Sequence, residues 1–192
     1  MRQLTTALSL LLAIAIAGCA SAPRGDSTTT PAPATPVAKP EIASPVTIPE
    51  GSSRKVVMVM TGAKTSVESK DWPEFKREWR ETFADHAKKA GIAFSFVDTA
   101  PSPGSDDGTL LVVNVADYRI VGIGTRIFFG IMTGNAFIDA RIGFTSLRDG
   151  AKFGERQYNT TSSAAGGIFA KVTPQQVDQI AASVFTELKA AK

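Results

Sequence analysis

The 192-residue sequence contains one cysteine, Cys19, and one histidine, His86. A single thiol cannot form an intramolecular disulfide, so a secreted domain of this chain has to rely on its apolar core alone. The same scarcity excludes zinc sites built from several cysteines or histidines, and it leaves a catalytic triad only one candidate base. We therefore predict no disulfide, no metal site and no cofactor.

The sequence also lacks a strong excess of charge of either sign. It has 21 lysines and arginines against 18 aspartates and glutamates, which gives a formal net charge of +3. A nucleic-acid-binding domain normally carries a dense basic stripe. The charge balance therefore predicts that nucleic acid is not a partner.

The one long apolar run near the amino terminus, residues 8–17, is too short to span a membrane. A spanning helix needs roughly 20 residues, whereas about ten are typical of a signal peptide. The run ends in Ala17, Gly18 and Cys19, which resembles the lipobox of bacterial lipoproteins. The resemblance implies cleavage between Gly18 and Cys19 and acylation of that cysteine. Two or more acyl chains give stable anchoring to a membrane.

Residues 19–53 are dominated by proline, alanine, threonine and serine, with no apolar periodicity. Such a composition predicts a disordered tether behind the lipidated cysteine. Ala20 is not the aspartate that favours retention in the inner membrane of enteric bacteria. We therefore expect an outer-membrane lipoprotein that faces the periplasm.

Residues 54–192 are predicted to form a single α+β domain, since their number suits one core. Apolar and alternating segments predict about five strands, and 3.6-residue periodicity predicts two helices, in the order β-α-β-β-β-β-α. Consecutive strands that end in an Asp149-Gly150 hairpin favour an antiparallel sheet with both helices packed on one face.

Both predicted helices have an apolar stripe and terminal signals. Asp71 and Glu74 suit the start of the first helix, and Gly91 suits its end. Thr173 suits the N-cap of the second. The predicted buried stripes are Trp72, Phe75, Trp79, Phe83 and Ala87 in the first helix, and Val177, Ile180, Ala181, Val184 and Leu188 in the second.

Candidate catalytic groups are few. His86 lies beside the apolar stripe of the first helix, where a lone histidine is usually a packing residue. A hydrolase would have to use Asp98, Asp117 or Asp139, although turn formation and cross-strand charge pairing are simpler explanations for aspartates on these loops and strands. The sequence nominates no catalytic residue, and we predict that the protein is not an enzyme.

The connection at residues 122–135 is unusually apolar for a link between two strands, and it contains four glycines. Loops usually carry polar turn residues, so this composition indicates either a surface that a partner covers or a segment that folds back over the sheet edge or continues the strands. The candidate partner contact consists of Ile127, Phe128, Phe129, Ile131 and Met132.

The glycine pattern also resembles the domain-of-unknown-function 4410 lipoproteins of Gram-negative bacteria. The resemblance spans residues 56–188 and rests on Tyr118-Arg-Ile-Val, Gly122-Ile-Gly124-Thr-Arg126, Gly130, Gly134, Arg148-Asp149-Gly150 and Gly166-Gly-Ile-Phe. It implies a fold similar to the curli secretion lipoprotein and to the amino-terminal domain of the Tol-Pal β-propeller protein, which bind other envelope proteins. The family supplies no activity, cofactor or catalytic motif.

These observations predict a non-enzymatic envelope module that is held to the membrane by acyl chains on Cys19 and that binds an envelope protein. Two alternatives remain open, a carboxylate-dependent cell-wall hydrolase and a glycan- or cell-wall-binding module. Exposed aromatic residues would mark the last of these. The oligomeric state is not predicted.

Overall fold

The computed structural model describes residues 40–104, 106–120, 136–161 and 172–191. Six strands form one sheet in the order β1-β6-β5-β4-β2-β3. The strands are β1 (Pro40–Ser44), β2 (Lys55–Gly62), β3 (Ala93–Val97), β4 (Thr109–Arg119), β5 (Phe137–Ser146) and β6 (Lys152–Thr161). The helices are a short α1 (Lys64–Val67), then α2 (Trp72–Ala90) and α3 (Val172–Lys189), with a 3-10 turn at Glu50–Ser53.

The fold is a mixture of helices and a mostly antiparallel sheet, as predicted, but the prediction of a wholly antiparallel sheet is wrong at β2. This strand pairs in parallel with both β3 and β4. The reason is that α2 lies between β2 and β3 in the chain, and a helical crossover is the usual connection between parallel strands. The pairs β4–β5, β5–β6 and β1–β6 are antiparallel.

The predicted tether boundary also differs from the structure. Residues 40–53 fall within the predicted tether, yet β1 pairs with β6, and Ile48 is buried in the main core. Arg156 of β6 donates a hydrogen bond of 2.5 Å to the Ser44 carbonyl. The ordered domain therefore begins by Pro40, fourteen positions before the predicted boundary at residue 54.

The main core lies on one side of the sheet, where α2, α3 and alternate residues of the strands form a single apolar cluster. Both predicted helix stripes are confirmed as buried. Gly91 ends α2 in the left-handed conformation with φ 68°, as predicted. Asp71 precedes α2 but makes no side-chain capping bond. Thr173 lies inside α3, which begins at Val172, so its N-cap assignment is wrong.

A smaller apolar cluster on the other side of the sheet contains Val57, Val59, Leu110 and Leu147. The chain from β3 to β4 contacts this region, where the Gly104 N–H donates to the Leu147 carbonyl over 3.0 Å. No helix among the described residues is long and apolar enough to cross a membrane.

Gly154 on β6 can be only a glycine, because it has φ +142° and the backbone of Pro45 passes over it. A Cβ at this position would lie 2.2 Å from the Pro45 carbonyl oxygen. Such a contact cannot be relieved by moving a flexible side chain, and the backbone conformation itself disfavours a side chain.

We expect Gly154→Ala to lower the free energy of unfolding by about 2–3 kcal/mol. Urea denaturation followed by circular dichroism measures this. Gly143→Ala is the matched control, because a Cβ there would meet only the Val112 carbonyl oxygen at 4.0 Å. That variant should change stability by about 0.5 kcal/mol or less. Equal losses in the two variants would contradict the proposed close approach of Pro45.

Candidate functional site

The sheet face opposite α2 and α3 carries polar and charged side chains on β4, β5 and β6. Since side chains alternate along a strand, the buried positions of β5 face the helices, and Asp139, Arg141 and Gly143 face the other way. Asn114 of β4 and Gln157 of β6 are the register partners of Arg141. We call this surface the open face.

A groove of about 610 Å³ runs along the open face where Gly143 leaves its floor without a side chain. Val112 and Glu155 are the register partners of Gly143 on the two neighbouring strands, and both line the groove. Lys152 and Arg141 add positive charge to the lining. The groove offers hydrogen-bond donors and acceptors to a bound group.

Arg141 forms its polar side-chain contacts with β6, the neighbouring strand. Its Nε atom is 3.3 Å from Glu155 Oε1, and its Nη2 atom donates to Gln157 Oε1 over 3.5 Å. Asp139 instead stands directly opposite Asp117 in the β4–β5 register. Two of the three candidate hydrolase carboxylates are therefore neighbours on the open face.

The third carboxylate, Asp98, lies elsewhere. Lys76 Nζ on α2 donates to Asp98 Oδ1 over 2.8 Å, and this hydrogen bond holds the pKa of Asp98 below its usual value. Asp117 is exposed, and its Oδ1 atom accepts the backbone N–H of Tyr118 at 2.8 Å. Within the ranges that the structure describes, no three acidic or histidine side chains are grouped so that they could hold a metal ion.

The loop aspartates also have partners that the sequence did not suggest. Asp106 and Asp107 both form ion pairs with residues distant in sequence. Asp106 Oδ2 is 2.6 Å from Lys55 Nζ, and the hydrogen bond from that lysine lowers the pKa of Asp106. Asp107 pairs with Arg148. These contacts hold the β3–β4 connection against the start of β2 and the β5–β6 turn.

His86 is a packing residue, as the sequence indicated, but it has a carboxylate partner. Its ring stacks on Phe185 with centroids 6.0 Å apart, and its Nε2 atom is 2.7 Å from Asp178 Oδ1. Because Asp178 and Phe185 belong to α3, the contact joins α3 to α2. The described contacts of His86 and Asp178 include no nucleophile. The geometry therefore indicates that the pair links the two helices.

A second polar link was missed by sequence reasoning. Arg156 on β6 contacts Glu187 on α3 through two nitrogen atoms, with Nη2 at 2.6 Å and Nε at 2.9 Å from Oε1. The same guanidinium reaches the Ser44 carbonyl on β1. Arg156 alternates along β6 with Gly154 and Tyr158, which places its side chain on the core side of the strand. This alternation is the sequence signal that could have predicted a buried arginine.

The tryptophans do not form an exposed aromatic platform. Trp79 is completely buried, and Trp72 is buried beneath Tyr118 and Phe75, with ring centroids 6.0 and 6.1 Å away. Neither tryptophan therefore supplies the exposed aromatic ring that would mark a glycan-binding module.

The predicted anchor and contact residues lie outside the described residues. These are Gly18, Cys19, Ile127, Phe128, Phe129, Ile131 and Met132. The strand ends that border these segments are described. Arg119 of β4, Phe137 of β5 and Thr161 of β6 are register partners across three strands. Pro40 begins β1 opposite Tyr158, close to the same end. We call this end of the sheet the tether end.

Comparison with known proteins gives only distant structural likenesses. No family model matches the sequence, and no curated protein matches it. A PelC dodecamer from Paraburkholderia phytofirmans, solved as a point variant, superposes with a TM-score of 0.48 and 14% identity, over 81% of this chain and 99% of that one. Protein XCC0632 from Xanthomonas campestris, of family DUF330, gives a TM-score of 0.45 and 11% identity, over 78% and 95% of the two chains.

A homolog of the neuraminyllactose-binding hemagglutinin from Helicobacter pylori gives a TM-score of 0.37 and 10% identity, over 77% of this chain and 90% of that one. All three scores are below 0.5, so no statement about the function of this chain rests on them. None of the three is a curli secretion lipoprotein or a Tol-Pal propeller protein. The resemblance to the domain-of-unknown-function 4410 lipoproteins stays a prediction.

Proposed function

We propose that this protein is a lipoprotein of the bacterial outer membrane whose folded domain binds another envelope protein in the periplasm and catalyses no reaction. Its anchor is Cys19, which follows the small residues Ala17 and Gly18 at the end of a short apolar run. Ala20 favours export to the outer membrane over retention in the inner membrane. The support for the anchor and for its membrane comes from the sequence, because Cys19 and Ala20 precede the described domain.

One observation carries the proposed mode of binding: the chain toward the anchor and the apolar connection leave the domain at the tether end. Residues 19–39 lead from Cys19 to Pro40, while residues 121–135 connect the ends of β4 and β5. Gln176 near the start of α3 donates to the Ala136 carbonyl over 3.2 Å, which fixes the point where β5 begins. A partner bound by residues 127–132 would therefore meet the domain on its membrane-tethered side.

Replacing Phe128 and Phe129 with serine is expected to abolish partner capture while the domain stays folded. In cells, a photo-reactive amino acid at Ile131 should give a defined cross-linked band, which mass spectrometry identifies. The band should fall at least about tenfold in the double serine variant, since losing two apolar contact residues removes several kcal/mol of burial.

Two controls decide the interpretation of that experiment. The photo-reactive amino acid placed at Ala151, an exposed residue at the β5–β6 turn and so at the opposite end of these strands, should not capture the same protein. Circular dichroism of the double serine variant should match the unchanged protein. Loss of the folded spectrum would mean that Phe128 and Phe129 belong to the core, and the proposed contact would then be wrong.

The two alternative functions are less well supported by the geometry. Asp117 and Asp139 are adjacent, which a hydrolase would require, but they stand on an open sheet face where Asp117 is exposed. Glycosidases place their acid in an apolar surrounding to keep it protonated. The burial of Trp72 and Trp79 argues against an aromatic glycan platform. Binding of an envelope protein remains the function best supported.

A further inference from the structure

The outer edge of β3 has no neighbouring strand in the described sheet. There β3 pairs with β2 alone, and the Ala93 N–H donates to the Arg54 carbonyl over 3.0 Å. Successive residues of a strand direct their backbone groups to opposite sides. Ala93, Ser95 and Val97 therefore face β2, while the N–H and C=O groups of Phe94 and Phe96 face outward. The described sheet has no strand on that side of β3 with which those four groups could pair.

The two edges of the sheet are protected differently. β1 begins at Pro40 and is followed by Pro45, and its register shifts between Ile42 and Ser44. Prolines and bulges are devices that prevent another strand from adding to an edge. β3 has no proline, and its register with β2 is unbroken from Ala93 to Val97. The β3 edge is thus the one open to strand addition.

A basic groove of about 550 Å³ lies between this edge and α2. Its apolar lining consists of Trp72, Pro73 and Phe96, and its charged lining consists of Lys76, Arg77, Arg80 and Asp98. Asp98 neutralises Lys76, whose Nζ atom also lies over the Phe96 ring, 5.5 Å from its centroid.

The two arginines in the groove are only weakly neutralised. Arg77 Nη2 is 3.5 Å from Glu74 Oε1, and Arg80 Nη2 is 3.9 Å from Glu81 Oε1. All four of these side chains are more than half exposed. Exposed pairs of this length contribute little free energy, so both guanidinium groups can accept a better-placed carboxylate.

We infer that the β3 edge and this groove are a docking site for an extended, acidic segment of another protein, which adds to the sheet as a seventh strand. Backbone groups of the segment would pair with Phe94 and Phe96. On an added strand, acidic residues at positions i and i+2 are separated by about 6.6 Å. Arginines at positions i and i+3 of a helix have Cβ atoms about 5–6 Å apart, so the two spacings match. Arg77 and Arg80 have that spacing.

A second copy of this chain fits the same edge poorly. Antiparallel pairing of two β3 strands about a two-fold axis would place both α2 helices on the same side of a continuous sheet. The exposed arginines of one groove would then face those of the other across the seam. Like charges so placed repel each other, whereas an acidic strand would neutralise them. Charge complementarity therefore selects the acidic segment.

The probe for this site is a nine-residue peptide that alternates glutamate with threonine, titrated by fluorescence anisotropy against the full-length protein in detergent micelles. It should bind, and the Arg77→Gln/Arg80→Gln variant should weaken binding at least about tenfold through loss of two charge-assisted contacts. The matched control, Lys88→Gln/Lys89→Gln, removes the same charge from the last turn of α2 and should weaken binding less than about twofold.

Hydrogen exchange measured by NMR separates strand addition from simple charge attraction. Bound peptide should slow exchange at the amides of Phe94 and Phe96, whereas the amide of Ser95 already faces β2 and should change little. Binding without this protection overturns the inference, as does equal binding of a peptide with lysine in place of glutamate. Equally tight binding of dextran sulfate, again without protection, would assign the groove to anionic polymers instead.

This site includes none of residues 127–132 and does not depend on acylation of Cys19. Capture of an envelope protein through Ile131 would therefore persist if the acidic peptide failed to bind. Conversely, protection of the Phe94 and Phe96 amides would stand even if the double serine variant at residues 128 and 129 unfolded. The two proposals can fail separately.

Discussion

A Cys19→Ala variant is expected to lose all incorporation of fatty acid. The proposed attachment atom is the thiol sulfur, and Cys19 is the only cysteine in the chain, so no other thiol could substitute for it. Metabolic labelling with an alkyne fatty acid, followed by fluorescent coupling and gel electrophoresis, measures the loss. Each acyl methylene buried in a bilayer contributes about 0.8 kcal/mol, so loss of the chains should also end stable membrane association.

The localisation part of this test requires a control, because an uncleaved signal peptide could itself hold the variant to the membrane. A second variant should replace residues 1–19 with a cleavable signal peptide that ends in alanine. This protein should appear in the soluble periplasmic fraction, folded as judged by resistance to protease. Undiminished fatty-acid labelling of Cys19→Ala would show that the chain is acylated elsewhere and would refute the anchor.

A Trp79→Ala variant is expected to lose about 3–5 kcal/mol of folding free energy, which is a large part of the stability of a domain this size. Trp79 is completely buried at the centre of α2. Its ring stacks on Phe83 at 5.4 Å and meets Phe75 edge-on at 5.9 Å. Truncation removes these contacts and leaves a cavity that a sheet and two helices cannot fully close.

Trp79→Phe is the informative companion to that variant. The Trp79 Nε1 atom is buried and has no hydrogen-bond partner in the described part of the chain. Phenylalanine keeps an aromatic ring between Phe75 and Phe83 and removes the unpaired N–H, whose burial is unfavourable. We expect a loss of about 1 kcal/mol or less, measured by urea denaturation. Similar losses for alanine and phenylalanine would show that the ring contacts contribute little.

Local features of the fold could be predicted because neighbouring residues determine them. The apolar stripe of α2 and the left-handed glycine at its end depend on three- and four-residue spacing within one helix. The β5–β6 hairpin depends on Asp149 and Gly150, and Gly150 has φ 75°. In each case the signal and the structure lie within a few residues of each other.

The direction of β2 could have been predicted and was not. A 19-residue helix lies between β2 and β3, which is the order of a parallel crossover unit. Our expectation gave more weight to the later hairpin than to this helix. The parallel pairing of β2 with β4 is harder to foresee, because residues 98–108 return the chain without a helix.

β1 could not be predicted from its own composition. Two prolines near it, Pro40 and Pro45, are typical of a linker, and its pairing partner lies more than a hundred positions later on β6. The Arg156 contact with Ser44 spans 112 positions. Only long-range pairing makes these residues a strand. The basic groove beside β3 was missed for the same reason, since Arg77 and Phe96 belong to different elements.

The position of β1 has a mechanical consequence for a tethered protein. Under the proposed anchoring at Cys19, tension between the membrane and a bound partner would enter the domain at Pro40 and act first on β1, an outer strand of the described sheet. That strand is held by four register pairs with β6 and by Arg156. The strand that bears the tension therefore lies at the edge of the sheet. Stretching the tether would detach β1 first, while α2 and the central strands stay folded.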